Sequence, residues 1–425
     1  EGSGGSGDEN PRAATGAVFI RGCEPQTGLV PGNINETCGG TVVDFMYSKL
    51  IKYNSDTAAA ELDQAESIDT SDNKVWTIKL KPGLKWTDGT PVTAKNYVDA
   101  WNYTAYSPNG QLGASWFADI EGFDKVNTAD PDGPEGPKEA PKPESETLSG
   151  LEVIDDQTFK VTLSSPQAVF RTKLGYSTFS ALPDAFFKDP KAFSSNPVTN
   201  GPFKFAKWDH NSQLVMDANP DYPGAEKPKV KQIVYKMYQD DNAAYADLVS
   251  NNLDFTELIP PSALAGDKWK SDLGDRAIEG QQGVIQTLTF PVFDKEFGGN
   301  ADFRKAVSLA IDRKTITEKI FNKGRTPLDS WVSPIVEATR PAPAATCAPS
   351  TRPGPRSTSP RPRPQATPRR RSSRSGRTPT APTRSGSRPR STASTRPSAP
   401  TPASSSCTGT CRPSPSSATW SPSAS

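Results

Sequence analysis

Catalysis needs groups that attack, or that give and take protons, held at matched positions, and this chain offers few such sets. Its one histidine, His210, sits in a polar stretch (KWDHNSQ) that reads as a solvated loop. A Ser-His-Asp arrangement would have to recruit it, and no Gly-x-Ser-x-Gly turn precedes a helix. No Gly-rich loop stands between a strand and a helix to cradle phosphate. His, Cys and carboxylate residues lack metal-ligand spacing, so neither a metal nor a cofactor is expected. An enzyme is therefore not expected. Trp101, Tyr103, Tyr106 and Trp116 crowd one stretch, which suits a recognition surface, although Trp101 reads as core. Cys23 and Cys38 flank a loop rich in Gly, Pro and Asn. In an exported protein they pair, worth ~3 kcal/mol for a loop of about 15 residues; otherwise they are two buried thiols.

The elements that must hold these residues are readable in places. Val75–Leu80 (VWTIKL) and Thr158–Leu163 (TFKVTL) alternate as half-buried strands. Thr93 is placed to cap a helix with Tyr97, Val98 and Trp101 on one face. Pro228–Tyr238 predicts a strand, Asp241–Ser250 a helix and Gly283–Phe290 a buried strand. A helix from Asp302 is expected to turn Phe303, Ala306, Val307, Ala310 and Ile311 inward. Asp312 should cap another that ends at Gly324. Residues 127–147, rich in Pro, Gly and Glu, read as a surface loop. The pattern is mixed α/β with more than one sheet. Residues 1–10 (EGSGGSGDEN) read as a flexible tether, and no apolar run is long enough to span a membrane, which puts any anchor upstream.

From Ala338 to Ser425 the alphabet changes. Lys, Asp, Glu, Leu, Ile, Val, Phe, Tyr, Met, His and Asn vanish, and 15 Arg stand with no acid. Residues 1–337 keep 34 basic against 48 acidic residues, a balance that argues against nucleic-acid binding. Taken literally, 338–425 is a disordered Pro/Ser/Thr/Arg stalk for an anionic wall polymer or nucleic acid. The genetic code supplies a simpler reading. Every residue here except Gln365 can be encoded with G or C as the middle base, as when a GC-rich gene is read one base out of register. Restoring one lost G after Glu337 turns Glu337-Ala338-Thr339 into Glu-Gly-Tyr. The same shift makes Thr346–Arg352 compatible with Leu-Cys-Thr-Phe-Asp-Pro.

Several blocks together resemble extracellular solute-binding proteins of family 5, the oligopeptide and dipeptide receptors of ABC importers. They are residues 75–101 (VWTIKLKPGLKWTDGTPVTAKNYVDAW), Thr199–Lys204 (TNGPFK) with Trp208 and Asn219–Tyr222 (NPDY), Ala246–Val249 before Asn252–Asp254, and Phe303–Arg313 (FRKAVSLAIDR). The resemblance covers most of 40–335 and stops near Val336. It implies a bilobal periplasmic-binding-protein-like α/β fold of the type II, three-domain peptide-binding class, incomplete here and followed by the tail. Domain I would comprise 11–47 and 198–265, domain II 48–197, and domain III would start at 266–337. It implies a monomer that captures peptide outside the membrane, held by an N-terminal lipid anchor upstream of Glu1 or free in the periplasm, and passes it to a permease. Oligosaccharide or nickel chelate are alternative solutes, and a wall-associated structural protein is the alternative of another class. The loop Asn33–Thr37, with Asn35 and Glu36, and the segment Tyr106–Trp116 match positions that approach ligand in the family. Asn200 matches the hinge turn, and the resemblance makes it a candidate ligand-binding residue together with Asn35, Glu36, Tyr106 and Trp116. The Asp that meets the ligand's amino terminus in peptide-binding members belongs to the part of domain III not represented here.

Overall fold

In β5 (Val75–Leu80) the side chains of Trp76, Ile78 and Leu80 are buried while those between them are more exposed, as the alternation requires. The computed structural model describes residues 16–131, 138–280, 283–291, 293–328 and 332–333. β5 lies inside an antiparallel sheet with β4 (Ala65–Asp69), β6 (Leu151–Asp155) and β7 (Thr158–Thr162), in the order β4-β5-β7-β6. Helix α2 (Ala94–Ala105) belongs to the same body. It starts at Thr93, whose backbone N–H donates to Asn96 Oδ1 at 3.0 Å in a reciprocal capping box. Its apolar face puts Tyr97 and Trp101 fully out of water. Tyr97 stacks on Phe159 at 5.7 Å, and Trp101 meets Phe159 and Phe179 edge-on at 5.5 and 5.4 Å. Trp101 is core, as expected.

A second four-stranded sheet, ordered β1-β10-β9-β8, joins the N-terminal strand β1 (Ala17–Gly22) to β8 (Phe203–Asp209), β9 (Gln213–Ala218) and β10 (Gln232–Met237). β1 runs parallel to β10, and the other pairs are antiparallel. The short β2 (Ile51–Tyr53) and β3 (Ala60–Leu62) form a hairpin. The chain leaves and re-enters this sheet region side by side. Gly201 N–H donates to Met46 O at 2.8 Å, and Ser48 N–H donates to Asn200 Oδ1 at 3.1 Å.

One hydrophobic core runs continuously under both large sheets. A smaller cluster gathers Tyr245 and Leu248 of α3 (Asp241–Val249) with Trp269 and Leu273, and so straddles the boundary expected at residue 266. Residues 127–131 and 138–147 carry no helix or strand and are mostly exposed, as a surface loop should be.

Two expectations fail beyond residue 280. The segment 283–290 is neither strand nor buried: Val284 is 80 % and Leu288 63 % exposed. Helix α4 (Ala301–Ala310) forms, capped by Asn300 rather than starting from Asp302, but none of its residues is buried. The cause is the same for both. An apolar stripe becomes a core face only where another element covers it, and no described strand pairs with 283–290. The Asp312 cap is present, its carboxylate accepting from Thr315 N–H at 3.0 Å, and the helical stretch ends at Ile320 rather than Gly324. The tether and the tail after Glu337 lie outside the described residues.

Candidate functional site

The segment 23–38 is tied down at several points. Cys23 and Cys38 are joined as a disulfide with Cα atoms 5.2 Å apart. Glu36 is the N-cap of α1 (Thr37–Met46): its carboxylate accepts from Gly39 N–H at 2.9 Å and from Gln26 N–H at 3.3 Å. Thr27 Oγ1 donates to Asn33 O at 2.6 Å, and Leu29 N–H donates to Ser194 O at 2.8 Å. Glu24 holds the far end, its carboxylate accepting from Asn211 N–H at 2.9 Å and lying 2.7 Å from His210 Nδ1. His210 is exposed, as a loop histidine should be, but it has this partner and packs its ring against Trp208.

The segment that follows α2 docks on this loop. Gly113 N–H donates to Gly32 O at 2.9 Å, and Leu112 N–H donates to Asn33 Oδ1 at 3.2 Å. The approach depends on both glycines. A Cβ on Gly32 would lie 2.4 Å from Thr104 Oγ1, and one on Gly113 would lie 2.7 Å from Gly32 O. Past this seam Trp116 lies flat on Tyr176, with ring centroids 4.1 Å apart and planes inclined by 21°. Each of the two residues is 37 % exposed, and Trp116 also meets buried Phe179 edge-on. The stack has a charged support. Asp119 accepts from Gln167 Nε2 at 2.7 Å and from Lys173 Nζ, which ties the chain just after Trp116 to the chain just before Tyr176. Partial burial pushes the Asp119 carboxyl up, but the Lys173 and Gln167 hydrogen bonds outweigh it and leave it below its ordinary 3.8.

The residues singled out from sequence thus fall in different situations. Asn35 is exposed on the loop, whereas the Glu36 carboxylate is engaged as a cap. Tyr106 closes the C-terminus of α2 and is half-buried against the main core. Trp116 presents part of a ring to solvent. Asn200 is 1 % exposed and spends its amide on Ser48 at the chain crossing. The structure brings the Asn33–Glu36 loop and the Trp116 segment together and sets Asn200 at the crossing. Tyr176 was missed by sequence reasoning, because ring stacking between residues sixty apart leaves no periodic trace. Among the described residues no group of three or more His, Cys, Asp or Glu could hold a metal ion. No described helix is long and apolar enough to cross a membrane.

Comparison with known proteins bears on this arrangement. Residues 60–349 match the model of bacterial extracellular solute-binding proteins, family 5, middle region. The match ends a dozen residues past the point where the resemblance was expected to stop. The oligopeptide-binding protein OppA of Bacillus subtilis is 25 % identical over 345 residues, 79 % of this chain and 60 % of that protein. The periplasmic OppA of Salmonella typhimurium is 30 % identical over 280 residues, 65 % of this chain and 49 % of that protein. The structure of Haemophilus influenzae OppA in complex with RPPGFSPFR superposes with a TM-score of 0.60 at 25 % identity, covering 73 % of this chain and 59 % of that one. The chain therefore spans about half to three fifths of the length of these relatives. With two thirds of its residues under the family model and a fold of the same type II class, the chain belongs to the family 5 bacterial extracellular solute-binding proteins.

Proposed function

We propose that this chain is the solute-capturing receptor of an ABC importer, that its solute is an oligopeptide, and that the Trp116–Tyr176 stack beside the Asn33–Glu36 loop forms one wall of the peptide cleft. The observation that carries the reading is a pair of partly exposed, face-to-face stacked rings supported from below, next to a loop pinned by a disulfide. Such a wall suits an extended peptide. Backbone groups of a fixed loop give affinity, and an aromatic platform accepts varied side chains at low conformational cost. No bond is made or broken in this role. The names of the relatives, which bind oligopeptides, support the solute class. In this reading residues 11–47 and 198–265 form domain I, 48–197 domain II, and domain III begins near 266. The receptor works as a monomer, held outside the cell membrane by a lipid anchor upstream of Glu1 or free in the periplasm, and a permease is its partner. Closure on peptide presents a new surface to that permease.

If residues after Glu337 are read out of register, the opposing wall is not supplied and the chain as it stands binds peptide poorly. Calorimetry with tri- to pentapeptides tests both statements. The frame-corrected receptor should bind in the micromolar range or tighter, and Trp116→Ala should weaken binding about tenfold, roughly 1.4 kcal/mol. Unchanged affinity in Trp116→Ala removes the stack from the cleft. Micromolar binding by the uncorrected chain refutes the impairment.

A further inference from the structure

At the end of the second sheet where β1 begins, the register sets Ala17, Gln232, Asp217 and Lys204 in one row across β1, β10, β9 and β8. Lys231 stands one residue beyond that row and ties the sheet end together. Its N–H donates to Gly16 O at 2.8 Å, and its carbonyl accepts from Ala218 N–H at 2.8 Å. Its methylenes lie against Gly16, where an added Cβ would be 3.1 Å from them. Lys229 precedes it by two residues in the connection from β9 to β10. Lys229 and Lys231 are exposed, and Lys204 is partly so.

These three ammonium groups are unengaged. Among the described residues none of them forms an ion pair or donates a side-chain hydrogen bond. The charged groups around them are engaged: Lys52 Nζ holds Glu226 at 2.7 Å, Lys227 Nζ donates to Tyr222 O, and Asp217 accepts from Gln232 Nε2 at 2.9 Å. Asp221 is the one carboxylate of this connection without such a partner among the described residues. Residues 1–337 as a whole carry 34 basic against 48 acidic residues. A group of unpaired cations on so acidic a body makes a local positive field with nothing of the chain's own to meet it.

We infer that the sheet end bearing Lys204, Lys229 and Lys231 is a contact surface for the anionic phospholipid headgroups of a membrane. Lysine is a hydrated point charge on a flexible stem, without the fork that fixes a single phosphate, so three of them suit a fluid array of headgroups better than one bound anion. The chain upstream of Gly16 leaves from this same end. In the function proposed above a lipid anchor lies upstream, and the choice of a membrane as partner rests on that reading. Each lysine at an anionic surface contributes about fivefold to binding. That is weak for a protein free in solution and sufficient for one that a short tether already keeps at high local concentration beside the bilayer. The contact fixes which side of the body faces the membrane.

The test needs neither peptide nor anchor, so its outcome is separate from that of the receptor reading. The full chain is mixed with vesicles of phosphatidylglycerol and phosphatidylcholine in equal parts, or of phosphatidylcholine alone. The 15 Arg after Glu337 bind anionic vesicles by themselves, so total binding is not the readout. The readout is the rate at which a water-soluble reagent acylates each lysine, located by mass spectrometry. On the anionic vesicles Lys204, Lys229 and Lys231 should react at least about fivefold more slowly, while the exposed Lys188 and Lys191 keep their solution rates. Phosphatidylcholine alone should leave all five unchanged. The double variant Lys229→Glu, Lys231→Glu, at two exposed positions, should return Lys204 to its solution rate although the arginines still hold the protein on the vesicle. Equal slowing of all five lysines, or no slowing of the three, overturns the inference. So does undiminished protection of Lys204 in the double variant. Soluble polyglutamate that slows the three as much as the vesicles do identifies an anionic polymer as the partner and also overturns it.

Discussion

At the scale of the residue, positions are governed by what each side chain prevents as much as by what it touches. Gly32 has no room for a methyl group against Thr104, so Gly32→Ala should shift the loop and cost about 1–3 kcal/mol in urea unfolding. An Ala at Gly40, where a Cβ meets nothing, serves as the control and should be near neutral. Asn200→Ala strips the buried Ser48 N–H of its acceptor and should cost about 1–3 kcal/mol in urea unfolding. Asp119 provides the pH dependence. Its carboxyl is held below the ordinary 3.8, so its stabilisation is complete above that value and is lost as pH falls through the lowered one. Asp119→Asn should remove this acid-limb loss from the unfolding midpoint and loosen the Trp116–Tyr176 stack, read as a change in tryptophan fluorescence. The cysteine pair was legible from loop composition, and the aromatic wealth of 101–116 singled out the segment in which Trp116 keeps a partly exposed ring. The capping duty of Glu36 was not legible, because a carboxylate ahead of a helix looks the same whether it waits for a ligand or closes the helix.

Elements were readable where they carry their own boundary signals. Thr93 and Asn96 specify the start of α2, and the alternation of β5 specifies which face is buried. Trp101→Ala should open a cavity among Phe117, Phe159 and Phe179 and cost about 3–5 kcal/mol, checked by denaturant titration. The segment 283–290 shows the opposite case. Its residues have the hydrophobicity of an interior strand, but strand formation is a property of a pair, and sequence records only one member. The disulfide belongs to this scale as well. Its reduction should remove about 3 kcal/mol by releasing the 15-residue loop. Because Glu36 still caps α1 and Gly113 still bonds Gly32, the melting temperature should fall while the far-ultraviolet signal at low temperature is kept.

The described residues are organised by two chain crossings at one place, Met46–Ser48 beside Thr199–Gly201, and the antiparallel sheet built from the chain between them shares one core with the other large sheet. This plan could be named from sequence only through several separated blocks in family order; no single block fixed it. The sheet β1-β10-β9-β8 has a further consequence, and it concerns time. β1 has β10 as its neighbour in that sheet, and Ala17 must wait for Gln232, more than two hundred residues later. At about 5–20 residues synthesised per second, the first strand exists for roughly 10–40 s before its partner has been made. For that interval β1 presents an unpaired edge open to wrong pairing, so the faster the chain between the two strands is made, the shorter that exposure lasts.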